Sequence, residues 1–281
     1  MAAPTTNPRG AGYWNSAAGH SWVALQSLIG DVFTSVTKLS FDAAAAKPGD
    51  RVVDIGCGTG DTLLDFAGVV GPAGAVLGVD ISVPMLGFAE HRVREAGYAN
   101  ISVARADATT YAFEPHAADL VYSRFGVMFF DDPVTAFANI RTGMKAGGRL
   151  VFVCFRTMPE SSWYRVPLEA ARPHLPPLPP ADPTAPGMFT FASEPRVRTI
   201  LASAGFHDIQ VKAADVPMHG KDVERAMTFA TQLGPVAALL AAGSDEQRKI
   251  ATDAVRRALA ASLGADGRGL GVGLWLVSAR A

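Results

Sequence analysis

The sequence predicts an α/β fold, a mostly parallel sheet with helices on both faces, and three observations carry that expectation. Residues 52–60 read V-V-D-I-G-C-G-T-G, an apolar β-branched pair that runs into an acid and then three alternating glycines. Further apolar runs at 75–79, 101–105 and 119–122 read as buried strands, with helical patterns starting near 61 and 81. The acids Asp54, Asp80 and Asp107 each stand at the carboxyl end of one of these strands. Ligands of open α/β sheets bind at that edge.

In chain order, the segment 10–46 carries Trp22, Leu25, Leu28, Ile29, Val32, Phe33, Val36, Leu39 and Phe41 at helical spacing and reads as one or two amphipathic helices. The glycine loop follows. Gly56, Gly58 and Gly60 can take positive φ and lack a Cβ, so a ligand can lie against bare main chain. Backbone N–H groups where the next helix opens, at 59–62, favour an anionic or polar ligand group. The third glycine comes one residue earlier than in the G-x-G-x-x-G of dinucleotide sites, and Asp54 would repel a pyrophosphate. An acid there suits a cofactor with a cationic end, such as an amino group beside a sulfonium.

Asp80 falls about twenty residues past the loop, where a strand-end acid can accept from both ribose hydroxyls. A helix begins over 81–86, with Ser82 as its cap and Pro84 in its first turn. Asp107, after the third strand, can accept from an exocyclic adenine amine. The fourth strand ends at Ser123-Arg124-Phe125. A helix starts at Asp132-Pro133, and Gly147-Gly148 turns the chain into a fifth strand over 149–155. Between 159 and 195 prolines cluster (Pro173, Pro176, Pro177, Pro179, Pro180, Pro183 and Pro186), so much of the stretch is expected to be irregular. Trp163, Tyr164, Met188, Phe189 and Phe191 within it suggest a packed lid with an apolar underside. A helix over 195–204, a strand over 206–216, one or two helices over 221–242 broken at Gly234-Pro235, a helix over 244–263 capped by Ser244, and a last strand over 270–279 complete the chain. The apolar face of the 244–263 helix is read as Ile250, Val255, Leu259 and Leu263. Four regions result: an N-terminal helical cap (1–46), a cofactor-binding core (47–156), a Pro-rich lid insertion (157–195) and the remainder of the α/β core with a helical insertion (196–281).

Composition narrows the function. The chain has 281 residues, 49% of them hydrophobic, and a net charge of −1. That is enough for one large α/β domain with elaborations, and it offers no basic stripe for nucleic acid. The start M-A-A-P-T-T-N-P-R-G is not patterned as a signal peptide, and no apolar run reaches membrane-spanning length. The two cysteines, Cys57 and Cys154, form neither a disulfide framework nor a metal spacing. A cytoplasmic enzyme without a metal is expected.

On these motifs the chain resembles the class I S-adenosylmethionine-dependent methyltransferases, over roughly 47–155. The segments K-P-G-D-R-V-V-D (47–54), S-R-F-G-V-M-F-F (123–130) and M-K-A-G-G-R-L (144–150) are similar to the branch holding ubiquinone and menaquinone C-methyltransferases and many small-molecule methyltransferases. The resemblance implies a Rossmann-like, seven-stranded, mostly parallel sheet with the last strand antiparallel. It implies S-adenosyl-L-methionine as cofactor and S-adenosyl-L-homocysteine as product. Asp54 and the backbone of Gly56, Cys57, Gly58 and Gly60 would face the methionine moiety. Asp80 would hold the ribose, Ile81 and Met85 would pack near the adenine, and Asp107 and Ala108 would contact its edge. Ser123 and Arg124 would line the methyl-transfer channel. No N-P-P-Y or D-P-P-Y element follows the fourth strand, which argues against nucleic-acid or protein amide acceptors.

The expected reaction is an in-line displacement onto a small, largely apolar or aromatic acceptor, natural-product or quinone-like. It is enclosed by Tyr13, Trp14, Trp22, Phe125, Trp163 and Phe189. Alignment and water exclusion are the protein's main tasks. If a base is needed, His20 is the first choice among the six histidines, ahead of His174 and His219, and Arg124 can orient an anionic oxygen. Two other readings stand beside this one: an NAD(P)-dependent oxidoreductase, and a cofactor-binding protein without methyl transfer.

Overall fold

A sheet of seven strands in the order β3-β2-β1-β4-β5-β7-β6 organises the molecule. It is formed by β1 (Arg51–Ile55), β2 (Ala75–Asp80), β3 (Ile101–Arg105), β4 (Ala118–Arg124), β5 (Met144–Phe155), β6 (His207–Pro217) and β7 (Gly271–Arg280). The first five run parallel, and β7 lies antiparallel to both β5 and β6. The chain winds outward from β1 to β3 and then returns to place β4 on β1's other side. The carboxyl ends of β1 and β4 therefore flank the switch point where such sheets bind ligands. This computed structural model describes residues 8–177, 185–220, 222–263 and 269–281. Expectations on 1–7, on 178–184 (Pro179, Pro180 and Pro183 among them), on Lys221 and on 264–268 lie outside the described residues.

Among the described residues, the segment before β1 forms four short helices rather than one or two: α1 (Pro8–Trp14), α2 (Ala17–Ala24), α3 (Gln26–Val32) and α4 (Thr34–Ala44). Leu25 and Phe33 leave helical geometry (φ −105, ψ 13 and φ −90, ψ 10), and each ends one helix and begins the next. Those bends let Leu28, Ile29, Val32, Phe33 and Val36 all reach the core. On the sheet lie α5 (Asp61–Val70), α6 (Val83–Ala96), α7 (Pro133–Thr142) and α9 (Glu194–Ser203). Ser82 caps α6, accepting from the Met85 N–H at 3.5 Å, and Pro84 lies in its first turn. Such a cap contributes about 1 kcal/mol.

Three local readings change. Gly147-Gly148 does not precede β5 but lies inside it, where the register slips between Ala118↔Met144 and Leu120↔Arg149. The left-handed Gly147 (φ 70) absorbs the extra residues as a bulge, so the turn is held within the ladder. The proline-rich stretch contains a regular helix, α8 (Ser162–Ala171), with Pro167 inside it. Pro167 forfeits one backbone donor. Burial of Trp163, Tyr164, Leu168 and Ala171 against α11 (Gly234–Ala242) and α12 (Asp245–Ser262) outweighs that loss. Finally, Ile250 faces solvent and Ala251 joins Val255 and Leu259 on the buried face of α12. The expected break at Gly234 separates α10 (Val223–Gln232) from α11, and Ser244 caps α12 in a capping box with Gln247.

Candidate active site

Two stretches of main chain meet at the switch point. A Cβ on Gly56 (φ 70) would lie 2.7 Å from the Gly126 Cα, and one on Gly126 would lie 2.7 Å from the Ile55 carbonyl oxygen. The turns after β1 and β4 thus pack backbone on backbone, and only glycine fits at either position. Between them Phe125 adopts φ 72, a left-handed conformation costly for an aromatic residue. Its ring is stacked 4.3 Å from Phe155 at 9° and lies 5.2 Å from Phe33, which fixes it in place.

The glycine loop spends its N–H groups on the protein itself. Gly56 and Cys57 donate to the Val79 carbonyl at 2.8 and 3.3 Å, Gly58 donates to Asp80 Oδ2 at 2.8 Å, and Gly60 donates to the Cys57 carbonyl at 3.0 Å. Of the helix-opening N–H groups at 59–62, where a ligand-facing role is expected, Gly60 is the one turned inward here.

Three buried carboxylates surround the cavity above the loop. Asp54, 1% exposed, accepts from Thr62 Oγ1 at 2.5 Å. Burial pushes its carboxyl up to about 7, against the pull of that hydrogen bond and of the Arg124 guanidinium. Asp80, 7% exposed, accepts from Gly58 N–H on one oxygen and from Ser82 N–H on the other, both at 2.8 Å. Burial raises it too, opposed by those bonds. The Ile81 N–H also favours the ionised form, and a carboxylate's four acceptor sites leave capacity for a further donor. Asp107, 8% exposed, accepts from Thr109 N–H at 2.8 Å. Gly56, Cys57, Gly58, Ile81, Met85 and Ala108 line the same cavity, as do Trp14, Trp22, Arg124 and Phe125. Its space between atoms, open mouth included, is about 1020 Å³.

Other expected residues lie elsewhere. Gly60 is not on the lining; it packs a would-be Cβ 3.0 Å from Ala89 and starts α5. Ser123 is fully buried beneath the loop, its hydroxyl donating to the Ile55 carbonyl at 2.7 Å. Tyr13 is 54% exposed and touches Trp14 from outside. Trp163 packs edge-on against Phe229 within the core cluster, and the partly buried Phe189 packs against Phe155 at its margin; neither is on the cavity lining. His20 is exposed on α2, and neither His174 nor His219 reaches the cavity wall. Nε2 of His219 instead lies 2.5 Å from Ser35 Oγ.

The structure also supplies residues the sequence reading left unassigned. Ile29, Phe33, Phe129 and Phe130 complete the apolar wall, with Trp14 set edge-on to Trp22 and Phe129. Asn15 accepts from Val83 N–H at 2.8 Å and donates to the Ile81 carbonyl at 3.1 Å, and Ser82 Oγ donates to the Trp14 carbonyl at 2.7 Å. These three bonds tie the N-terminal segment to the turn that carries Asp80. Phe129 and Phe130 were visible within S-R-F-G-V-M-F-F. Asn15 had no sequence signal, because its partners are more than sixty positions away.

An α/β sheet with an acid at each of three successive strand ends, facing one cavity at the switch point, defines a nucleoside-cofactor protein. The profile of the ubiE/COQ5 methyltransferase family matches residues 31–177, and the chain belongs to that family. It is 37% identical over 122 residues to aklanonic acid methyltransferase DauC of Streptomyces sp. (strain C5), covering 43% of this chain and 56% of that protein. It is 32% identical over 155 residues to the ubiquinone/menaquinone biosynthesis C-methyltransferase UbiE of Teredinibacter turnerae, covering 55% of this chain and 62% of that one. The chain thus spans 56% and 62% of the lengths of these relatives. In fold it is similar to phosphoethanolamine N-methyltransferase 2 of Haemonchus contortus, with a TM-score of 0.60 at 19% identity over 95% of this chain and 58% of that one.

Proposed function

We propose that the protein transfers a methyl group from S-adenosyl-L-methionine to a small, largely apolar or aromatic molecule, leaving S-adenosyl-L-homocysteine. The observation that carries this reading is the pairing of three buried strand-end carboxylates with an aromatic wall around one cavity. The cofactor, when bound, supplies an activated methyl group on a sulfonium and a neutral leaving group. Asp54 would meet its cationic amino group, Asp80 the ribose diol and Asp107 the adenine edge, with Ile81 and Met85 beside the ring. Trp14, Trp22, Phe33, Phe125 and Phe129 would hold the acceptor and exclude water, which makes alignment the protein's main contribution. The buried Asp54 carboxylate on the cavity wall disfavours a dinucleotide, whose pyrophosphate it would repel.

Of the described residues, 8–46 then act as a cap, 47–156 as the cofactor core, and α8 with α10–α12 as packing that supports the pocket from behind. The relatives named for aklanonic acid and for ubiquinone/menaquinone biosynthesis favour a quinone-like or natural-product acceptor for this chain. No helix among the described residues is long and apolar enough to cross a membrane; we place the enzyme in the cytoplasm, acting on a small molecule rather than a nucleic acid. The test is incubation of a metabolite extract with the enzyme and S-adenosylmethionine deuterated on its methyl group. Mass spectrometry should find an aromatic product heavier by the labelled methyl. Label confined to protein or nucleic acid would contradict the reading.

A further inference from the structure

Resting on the methyl-transfer reading, we propose that Arg124 is a positioning residue for the cofactor: its guanidinium, braced by α4 and α5, holds Asp54 as the carboxylate that meets the cofactor's ammonium group. The sheet places the two side chains together. Asp54 stands opposite Tyr122 in the β1–β4 ladder, and Arg124 lies two positions beyond Tyr122, so all three share one face of the sheet. Helices α4 and α5 cover that face: the Tyr122 hydroxyl lies 2.7 Å from Ser40 Oγ on α4, and its ring is edge-on to Phe66 of α5. Asp54 and Arg124 both line the cofactor cavity, and among its described lining residues Arg124 is the one cation.

The guanidinium is held from the far side. Its Nη1 donates to Thr37 Oγ1 at 2.6 Å, its Nη2 lies 3.5 Å from Asp61 Oδ2, and the group sits 5.9 Å from the Phe33 ring centroid. Thr37 and Asp61 line a second, polar cavity with Thr34, Asp65 and Arg92, and Arg124 forms the wall between the two spaces. Helix α5 braces both members of the pair: Asp61 pairs with Arg124 and with Arg92, and Thr62, next in the chain, donates to Asp54. The other charges around Arg124 are Asp65 of α5 and Lys38 of α4, and Lys38 is itself paired with Asp42. Around Asp54, burial favours the neutral acid, the Thr62 hydroxyl and the Arg124 charge oppose it, and Asp80 and Asp61 reinforce it. Burial keeps the nearby Cys57 thiol and Tyr122 hydroxyl neutral.

Opposite effects on binding follow. Without the guanidinium, Asp54 takes up its proton at a higher pH and loses its hold on the ammonium group. Where the solution is alkaline enough to ionise Asp54 regardless, removing Arg124 removes a repulsion between two cations. A residue that merely props up the pocket would weaken binding by the same factor at every pH.

The test titrates S-adenosylhomocysteine calorimetrically into the full chain and into Arg124→Met, Arg124→Gln and Arg124→Lys. At about pH 6 the two neutral variants should bind at least about threefold more weakly than the wild type, the effect of about half a pKa unit on Asp54. At about pH 9 that gap should close or reverse, whereas Arg124→Lys, which keeps the charge, should stay within about twofold of the wild type throughout. In an Asp54→Asn background, Arg124→Met should no longer weaken binding. Methylthioadenosine, which lacks the amino-acid part, should bind all three Arg124 variants as it binds the wild type. An equal loss at both pH values, a loss that persists in Asp54→Asn, an equal loss for methylthioadenosine, or an Arg124→Lys indistinguishable from Arg124→Met would overturn the proposal. Melting curves report whether each variant folds. Failure of the wild type to bind S-adenosylhomocysteine would instead sink the underlying methyl-transfer reading.

Discussion

Asp80 braces the loop and also lies on the cavity wall, where the proposed function gives it the ribose diol. Its carboxylate ties the glycine loop to the β2–α6 turn through Gly58 and Ser82, and still has acceptor capacity facing the cavity. Asp80→Ala should weaken S-adenosylhomocysteine binding by about 1.5–3 kcal/mol, the size of charge-assisted bonds to two hydroxyls. Titration calorimetry measures this, and an unchanged dissociation constant would leave Asp80 as a loop brace only. Asp54 sets the pH dependence. Its carboxyl is raised from 3.8 to about 7 in the ligand-free protein. A raised group stabilises the fold at low pH, and that contribution is lost as pH climbs through about 7. Cofactor binding runs the other way, because the amino group needs the ionised form. Affinity should fall as pH drops below about 7, by up to tenfold per unit, and Asp54→Asn should flatten the slope. A slope that survives in Asp54→Asn would assign the titration to another group. Both acids were legible in the sequence because a strand end is a local feature. The inward turn of the loop's N–H groups was not, since it depends on the neighbouring strand β2.

At the scale of elements, the stretch joining α1 and α2 is tied to the β2–α6 turn by polar contacts. Asn15 reads the main chain at Ile81 and Val83, Ser82 reaches the Trp14 carbonyl, and Gly19 lets α2 approach Pro84 closely. Asn15→Ala removes two of these bonds and should cost about 1–2 kcal/mol of docking. Hydrogen exchange should show faster exchange over residues 10–24 with the sheet unaffected. Unchanged protection would mean that the aromatic contacts of Trp14 suffice. Helical periodicity disclosed that this segment is helical and apolar, but not that it breaks at Leu25 and Phe33, because those bends follow the shape of the core. The proline-rich stretch misled for the same reason. Trp163 and Tyr164 read as the underside of a lid, yet α8 turns them toward Phe229 and Phe155 in the core. Aromatic residues among prolines show that a segment is packed, not which surface it packs on.

For the whole molecule, the alternation of strands and helices was enough to predict the parallel sheet. The resemblance supplied the antiparallel last strand. Order in the sheet then brings together what the chain separates: β1 and β4 are neighbours, so Gly56 meets Gly126, and α4 carries Thr37 to Arg124. Sequence alone could not list the cavity wall, because Ile29, Phe33, Phe129 and Phe130 converge only through that order. The central claim is that the three strand-end acids make a site for an adenosyl amino-acid cofactor rather than a dinucleotide. Calorimetric titration of the wild type with S-adenosylhomocysteine and, separately, with NAD tests it most directly. Saturable binding of S-adenosylhomocysteine and none of NAD, in the absence of any added metal, is the expected result; NAD binding with no response to S-adenosylhomocysteine would contradict it.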